Sequence, residues 1–143
     1  MRQRIPARAW SNGAAGHRPR ILVEDDHPAL AISDFSMFQQ AGFDVGWCSG
    51  PGADPASCPL LSGGDCPALA GADAVLHGLD VRSGVAAAIR RRRPELPVVV
   101  ASRRHADGSQ DEVPEGCLPL ADPSSVHGQI DALRQALAAR RQT

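Results

Sequence analysis

From Arg20 onward the chain alternates two kinds of pattern. Short continuous apolar runs, "RILV" (20–23), "ADAVLHGL" (72–79) and "LPVVVAS" (96–102), have turn or charged residues at their ends. Such runs predict strands buried on both faces rather than half-exposed ones. Between them lie stretches with helical spacing. In "HPALAISDFSMFQQAG" (27–42), Ala31, Phe35 and Phe38 fall at i, i+4 and i+7, Pro28 suits a first turn, and Gly42 suits the stop. In "SGVAAAIRRRRPE" (83–95), Val85, Ala88 and Ile89 would face a sheet until Pro94 ends the helix. The closing "PSSVHGQIDALRQALAARRQ" (123–142) carries Val126, Ile130, Leu133 and Leu137 on one stripe. "FDVGWC" (43–48) supplies a further strand, and "GCLPL" (116–120) one more, which Pro119 confines to a sheet edge because it cannot donate a ladder hydrogen bond.

Strand and helix in alternation predict an α/β fold, a doubly wound five-stranded parallel sheet with helices on both faces. Two stretches break the rhythm. Residues 49–71, "SGPGADPASCPLLSGGDCPALAG", hold four Pro and five Gly and leave room for a helical turn or two, so a Cys/Pro/Gly-rich loop stands between the second and third strands. Residues 103–115 are polar and weakly patterned. The division expected is a flexible N-terminal arm over 1–19 and one domain over 20–143, in keeping with a length of 143 residues.

Composition narrows the function more than the fold. With 43% apolar residues but only five aromatic ones, the core must be built of Val, Leu, Ile and Ala, and little is left for a base-stacking platform. A net charge of −1 gives no global attraction to nucleic acid or to an anionic membrane, so neither is expected as a partner. All 15 basic residues are Arg, which excludes Schiff-base chemistry, a lysine general base and a lysine-containing phosphate loop. The N-terminal "MRQRIPARAWSNGAAGHRPR" has no apolar run behind its basic start, and no window reaches the length of a membrane span. A cytoplasmic location is therefore expected, and with it four thiols or metal ligands rather than a disulfide framework.

In parallel α/β sheets the reactive positions are the carboxyl ends of the strands. Here these are Asp25 and Asp26, Cys48, His77 and Gly78, Ser102, and the run from Leu120 to Asp122. Two adjacent carboxylates in one concave corner relieve their repulsion by binding a hard cation such as Mg²⁺, or else form a solvated acidic turn before a helix. Cys48, Cys58 and Cys66 are spaced C-x9-C-x7-C, with His77 at the end of a later strand. Packed thiols, a Cys58–Cys66 disulfide, and a thiolate site for Zn²⁺ completed by His77 are the readings this spacing allows. Cys117 reads as a small buried residue. The run Arg90–Arg93 complements a helix C-terminus and reads as a solvated face.

"ILVEDDHPAL", "ADAVLHGLD", "LPVVVAS" and the closing helix together resemble the receiver domain of bacterial two-component response regulators, over about residues 20–140. The resemblance implies a flavodoxin-like sheet, a Mg²⁺-holding acidic pair at Asp25 and Asp26, and a responding hydroxyl at Ser102. It puts the phosphoacceptor position at Gly78 and the position of the family's lysine at Asp122. It also implies that Asp131, Arg134, Arg140 and Arg141 lie near a partner surface. Two of these reactive positions depart from the family's pattern. Gly78 offers no nucleophile, and Asp122 brings negative charge where a cation belongs. Asp80 is the nearest substitute carboxylate, but it lies beyond the strand end.

The reading that follows is a degenerate receiver-like module, not an enzyme, that signals by contact with a protein partner, a second copy of itself included, without being phosphorylated. The alternative is a metal- or redox-responsive sensor using Cys48, Cys58 and Cys66. No obligatory cofactor is expected. Mg²⁺ is the first ion the residues would suit and Zn²⁺ the second.

Overall fold

The computed structural model describes residues 18–101, 112–120 and 125–141, with 28–33 and 81 described by backbone alone. Five parallel strands, β1 (Arg20–Glu24), β2 (Asp44–Cys48), β3 (Ala74–His77), β4 (Val98–Val100) and β5 (Leu118–Pro119), form one sheet in the order β2-β1-β3-β4-β5. Helices α1 (Pro28–Gln40), α2 (Pro67–Ala70), α3 (Val85–Arg92) and α4 (Val126–Arg141) connect or follow them. The order reverses at β1, whose neighbours are β2 and β3, so the crevice at the carboxyl ends of β1 and β3 is the topological switch point.

The strands are continuous in apolar residues because both sheet faces are covered. Alternate side chains point to opposite sides. Leu22, Val75, Val98 and Val100 pack with Leu69, Val85 and Ile89, while Ile21, Val23, Leu76 and Val99 pack with Phe38, Ile130 and Leu133. The triple valine of β4 is thereby split between two cores, as its sequence requires. Pro119 does sit in the edge strand, opposite Val100.

Between β2 and β3 the backbone makes a 3-10 turn over Pro55–Ser57 and the single turn of α2. Asp54 caps the first, its Oδ1 accepting from Ala56 N at 3.0 Å. The run of four arginines does more than face solvent, because the chain turns sharply after α3 and leaves carbonyls within its reach. Arg90 Nη1 donates to Pro94 O at 2.6 Å, and Arg93 Nη1 donates to Leu69 O at 2.6 Å and Ala72 O at 3.1 Å, tying α2 to the end of α3. Arg92 pairs with Asp65 across the surface, and Arg91 is exposed. On α4, Arg134 donates to Ala41 O and Arg140 to Asp73 O, so both have internal structural partners, while Asp131 and Arg141 are exposed.

Candidate functional site at the carboxyl edge of the sheet

Asp25 follows β1 directly, and two hydrogen bonds to its backbone groups fix it from the β2 side. Its N–H donates to Cys48 O at 3.0 Å, and its carbonyl accepts from Trp47 Nε1 at 2.9 Å. Its carboxylate turns back on the chain, Oδ1 accepting from His27 N at 2.8 Å, the local turn that aspartate favours. Asp26 is exposed and stands 2.7 Å from His27 Nδ1. Ligand atoms of Asp25, Asp26 and His27 all lie within 4.8 Å of one another. Two carboxylates and an imidazole ahead of the N-terminus of α1 form an oxygen-rich, negatively charged corner that suits a hard divalent cation retaining part of its water shell. Asp25 and Asp26 are the residues that would hold Mg²⁺.

Gly78 stands beside this corner. Its N–H donates to Glu24 O at 2.7 Å, which draws the end of β3 tightly onto β1. A Cβ at position 78 would be 2.9 Å from the Glu24 carbonyl oxygen, closer than two such atoms pack, and 3.8 Å from Asp25 Oδ2. The position thus faces the acids, and its backbone is closed against the neighbouring strand in a way only glycine fills without displacement. Ser102 and Asp122 lie outside the described residues. Asp80 is turned to Arg82, with Oδ2 2.8 Å from Nη2.

His77 points to the opposite face of the sheet from Gly78. It is fully buried, and its Nδ1 lies 2.7 Å from Oε1 of Glu24, its register partner on β1. With Glu24 ionised the ring nitrogen donates, and Nε2 has no hydrogen-bond partner. In the sequence Glu24 is the first of three consecutive acids, followed by Asp25 and Asp26, and the acidic pair alone does not point to this contact. Its signal was strand parity, because Glu24 shares a face with the buried Leu22.

Glu24 also lines a small cavity, about 20 Å³, together with Cys48, Cys58 and Cys66. All four cysteines are free thiols. The three cysteines line one cavity, but no three ligand atoms among Cys48, Cys58, Cys66 and His77 lie within 4.8 Å of one another, so a preformed tetrahedral set of these four is not assembled. Cys117 sits apart from this cavity, and burial pushes its thiol up from the ordinary cysteine range against partial opposition from Arg90.

No protein-family model matches the sequence, and no curated protein matches it either. Solved structures do match the fold. A response regulator receiver protein from Sinorhizobium medicae WSM419 superposes with a TM-score of 0.57 at 26% identity, covering 86% of this chain and 97% of that one. A response regulator receiver domain protein from Clostridium thermocellum gives 0.56 at 15% identity, covering 87% and 98%. The N-terminal domain of a response regulator/sensory box/GGDEF 3-domain protein from Carboxydothermus hydrogenoformans gives 0.54 at 23%, covering 86% and 97%. The fold is receiver-like, with its acidic corner at the switch point. Among the described residues, no helix is long and apolar enough to cross a membrane.

Proposed function

We propose that this chain is a receiver-like signalling module whose output passes through contact with a protein partner and does not depend on phosphoryl transfer at position 78. One observation carries the reading. Gly78 lies beside Asp25 and offers no side chain, and a Cβ added there would meet the Glu24 carbonyl oxygen at 2.9 Å, which supports the reading that no attacking carboxylate stands against the acids. Aspartyl phosphorylation needs that nucleophile against a metal and a cation to neutralise the transferred oxygens. The chain has no lysine to supply the second. Mg²⁺ bound at Asp25 and Asp26 would supply charge neutralisation to the corner, holding the acids together without any transfer.

The test is incubation of the full chain with acetyl phosphate and Mg²⁺, read by intact mass and by amide resonances. No phosphoryl adduct is expected, and only the amides around Asp25 and Asp26 should respond, to Mg²⁺ alone. A stoichiometric adduct on any aspartate would overturn the reading.

A further inference from the structure

We propose that Cys48, Cys58 and Cys66, together with the Glu24 carboxylate, bind one thiophilic metal ion of the Zn²⁺ class, and that this ion acts on the acidic corner from behind. The first half stands whether or not position 78 is ever phosphorylated. The second rests on the signalling reading.

Three features converge on the cavity. Its lining residues are apolar apart from Cys48, Cys58, Cys66 and Glu24. That carboxylate is itself 4% exposed, an unusual cost for a group that any solvent-facing position would accommodate freely. His77, wholly buried, holds its Oε1 at 2.7 Å. A histidine that orients a ligating carboxylate is the kind of supporting contact metal sites use. Thiolates select soft or borderline ions, and three thiolates with one carboxylate carry the same formal charge as a four-cysteine zinc site. A disulfide would use two of the sulfurs and leave the third beside the carboxylate with no role.

The cage is open as it stands, because no three of its ligand atoms are within 4.8 Å of one another. Zinc–sulfur bonds of about 2.3 Å require the sulfurs to draw together. Cys58 and Cys66 can do so. They lie on the irregular segment between β2 and β3, outside any strand ladder, whereas Cys48 and Glu24 are held in register with each other at the ends of β2 and β1. On binding, three thiol protons leave to solvent, so affinity falls with falling pH.

The coupling runs through two backbone hydrogen bonds. Cys48 O accepts from Asp25 N, and Glu24 O accepts from Gly78 N. The pull that Cys58 and Cys66 exert on these two anchored ligands as the cage closes is passed through those bonds to both sides of the acidic corner.

Reduced full chain, purified without a metal-affinity tag, is titrated with Zn²⁺ against a chromophoric chelator. One equivalent is expected, weakened about 100-fold by Cys58→Ser or Cys66→Ser and about tenfold by Glu24→Gln, unchanged by Cys117→Ser, and still one equivalent in Asp25→Asn/Asp26→Asn. Should the Cys58 variant not fold, Zn²⁺ must still slow alkylation of Cys66 in the native chain. Absence of stoichiometric Zn²⁺, or binding that survives Cys66→Ser, or binding lost with the two aspartates, overturns the site. Zinc bound at the thiols with the Asp25 and Gly78 amide resonances unmoved overturns the coupling.

Discussion

Across the β1–β3 pair, His77 Nδ1 and Glu24 Oε1 stand 2.7 Å apart, with 0% and 4% of their side chains exposed. A buried pair of this kind contributes little over apolar residues of similar size, yet breaking it leaves the surviving member without compensation. Glu24→Ala should therefore cost about 3–5 kcal/mol in urea unfolding, while Glu24→Gln, which keeps an acceptor for the ring, should cost about 1–2 kcal/mol. The double change Glu24→Leu/His77→Leu should be close to neutral. A double variant as unstable as Glu24→Ala would show that the site needs the polar pair itself.

Placing a carboxylate at position 78 should be costly for steric reasons. Gly78→Asp and Gly78→Ala both place a Cβ 2.9 Å from the Glu24 carbonyl oxygen, and both should lose about 1–3 kcal/mol by the measure of overpacked cores. Equal losses in the two would assign the cost to the Cβ rather than to charge repulsion from Asp25. Gly78→Asp should also take no phosphoryl group from acetyl phosphate.

Within the arginine run, adjacent residues should differ sharply. Arg93 donates to the carbonyls of Leu69 and Ala72, so Arg93→Ala should cost about 1–3 kcal/mol by leaving partly buried carbonyls unpaired. Arg91 is exposed, and Arg91→Ala should lie within about 0.5 kcal/mol of the parent. Thermal unfolding of the two variants side by side decides the matter.

Burial raises the Cys117 thiol, so in the folded chain it keeps its proton to higher pH than in the unfolded one. Above about pH 8.5 the unfolded state has lost that proton and the folded state has not, so stability falls as pH rises through this window. Cys117→Ala should flatten the alkaline limb of the stability curve. Native-state alkylation of Cys117 should be slower than in the unfolded chain and should quicken on unfolding in urea, because the thiolate is the reacting species.

Much of the fold was legible because its signals are local. Continuous runs such as "PVVV" belong only to a strand with two covered faces, and the stripe Ile130, Leu133, Leu137 belongs only to a packed helix. The edge position of Pro119 follows from its missing N–H. The two adjacent acids after β1 and the glycine that ends up beside them were visible for the same reason, each being a property of a single position at a strand end. What could not be read depends on which strands lie side by side. Glu24 is one acid among three until the register sets it against His77. Arg93 is one of four identical residues until the chain brings the carbonyls of α2 to it. That the three cysteines reach one cavity is likewise a consequence of how the segment between β2 and β3 folds back, which its spacing does not encode.

Trp47 donates its indole N–H to the carbonyl of Asp25 and is itself buried. The only other tryptophan in the chain is Trp10, which a conservative change to phenylalanine removes. The protein therefore carries its own fluorescent reporter, wired to the backbone of the acidic corner, and the emission of one native side chain can follow any occupant of that corner in real time without a label.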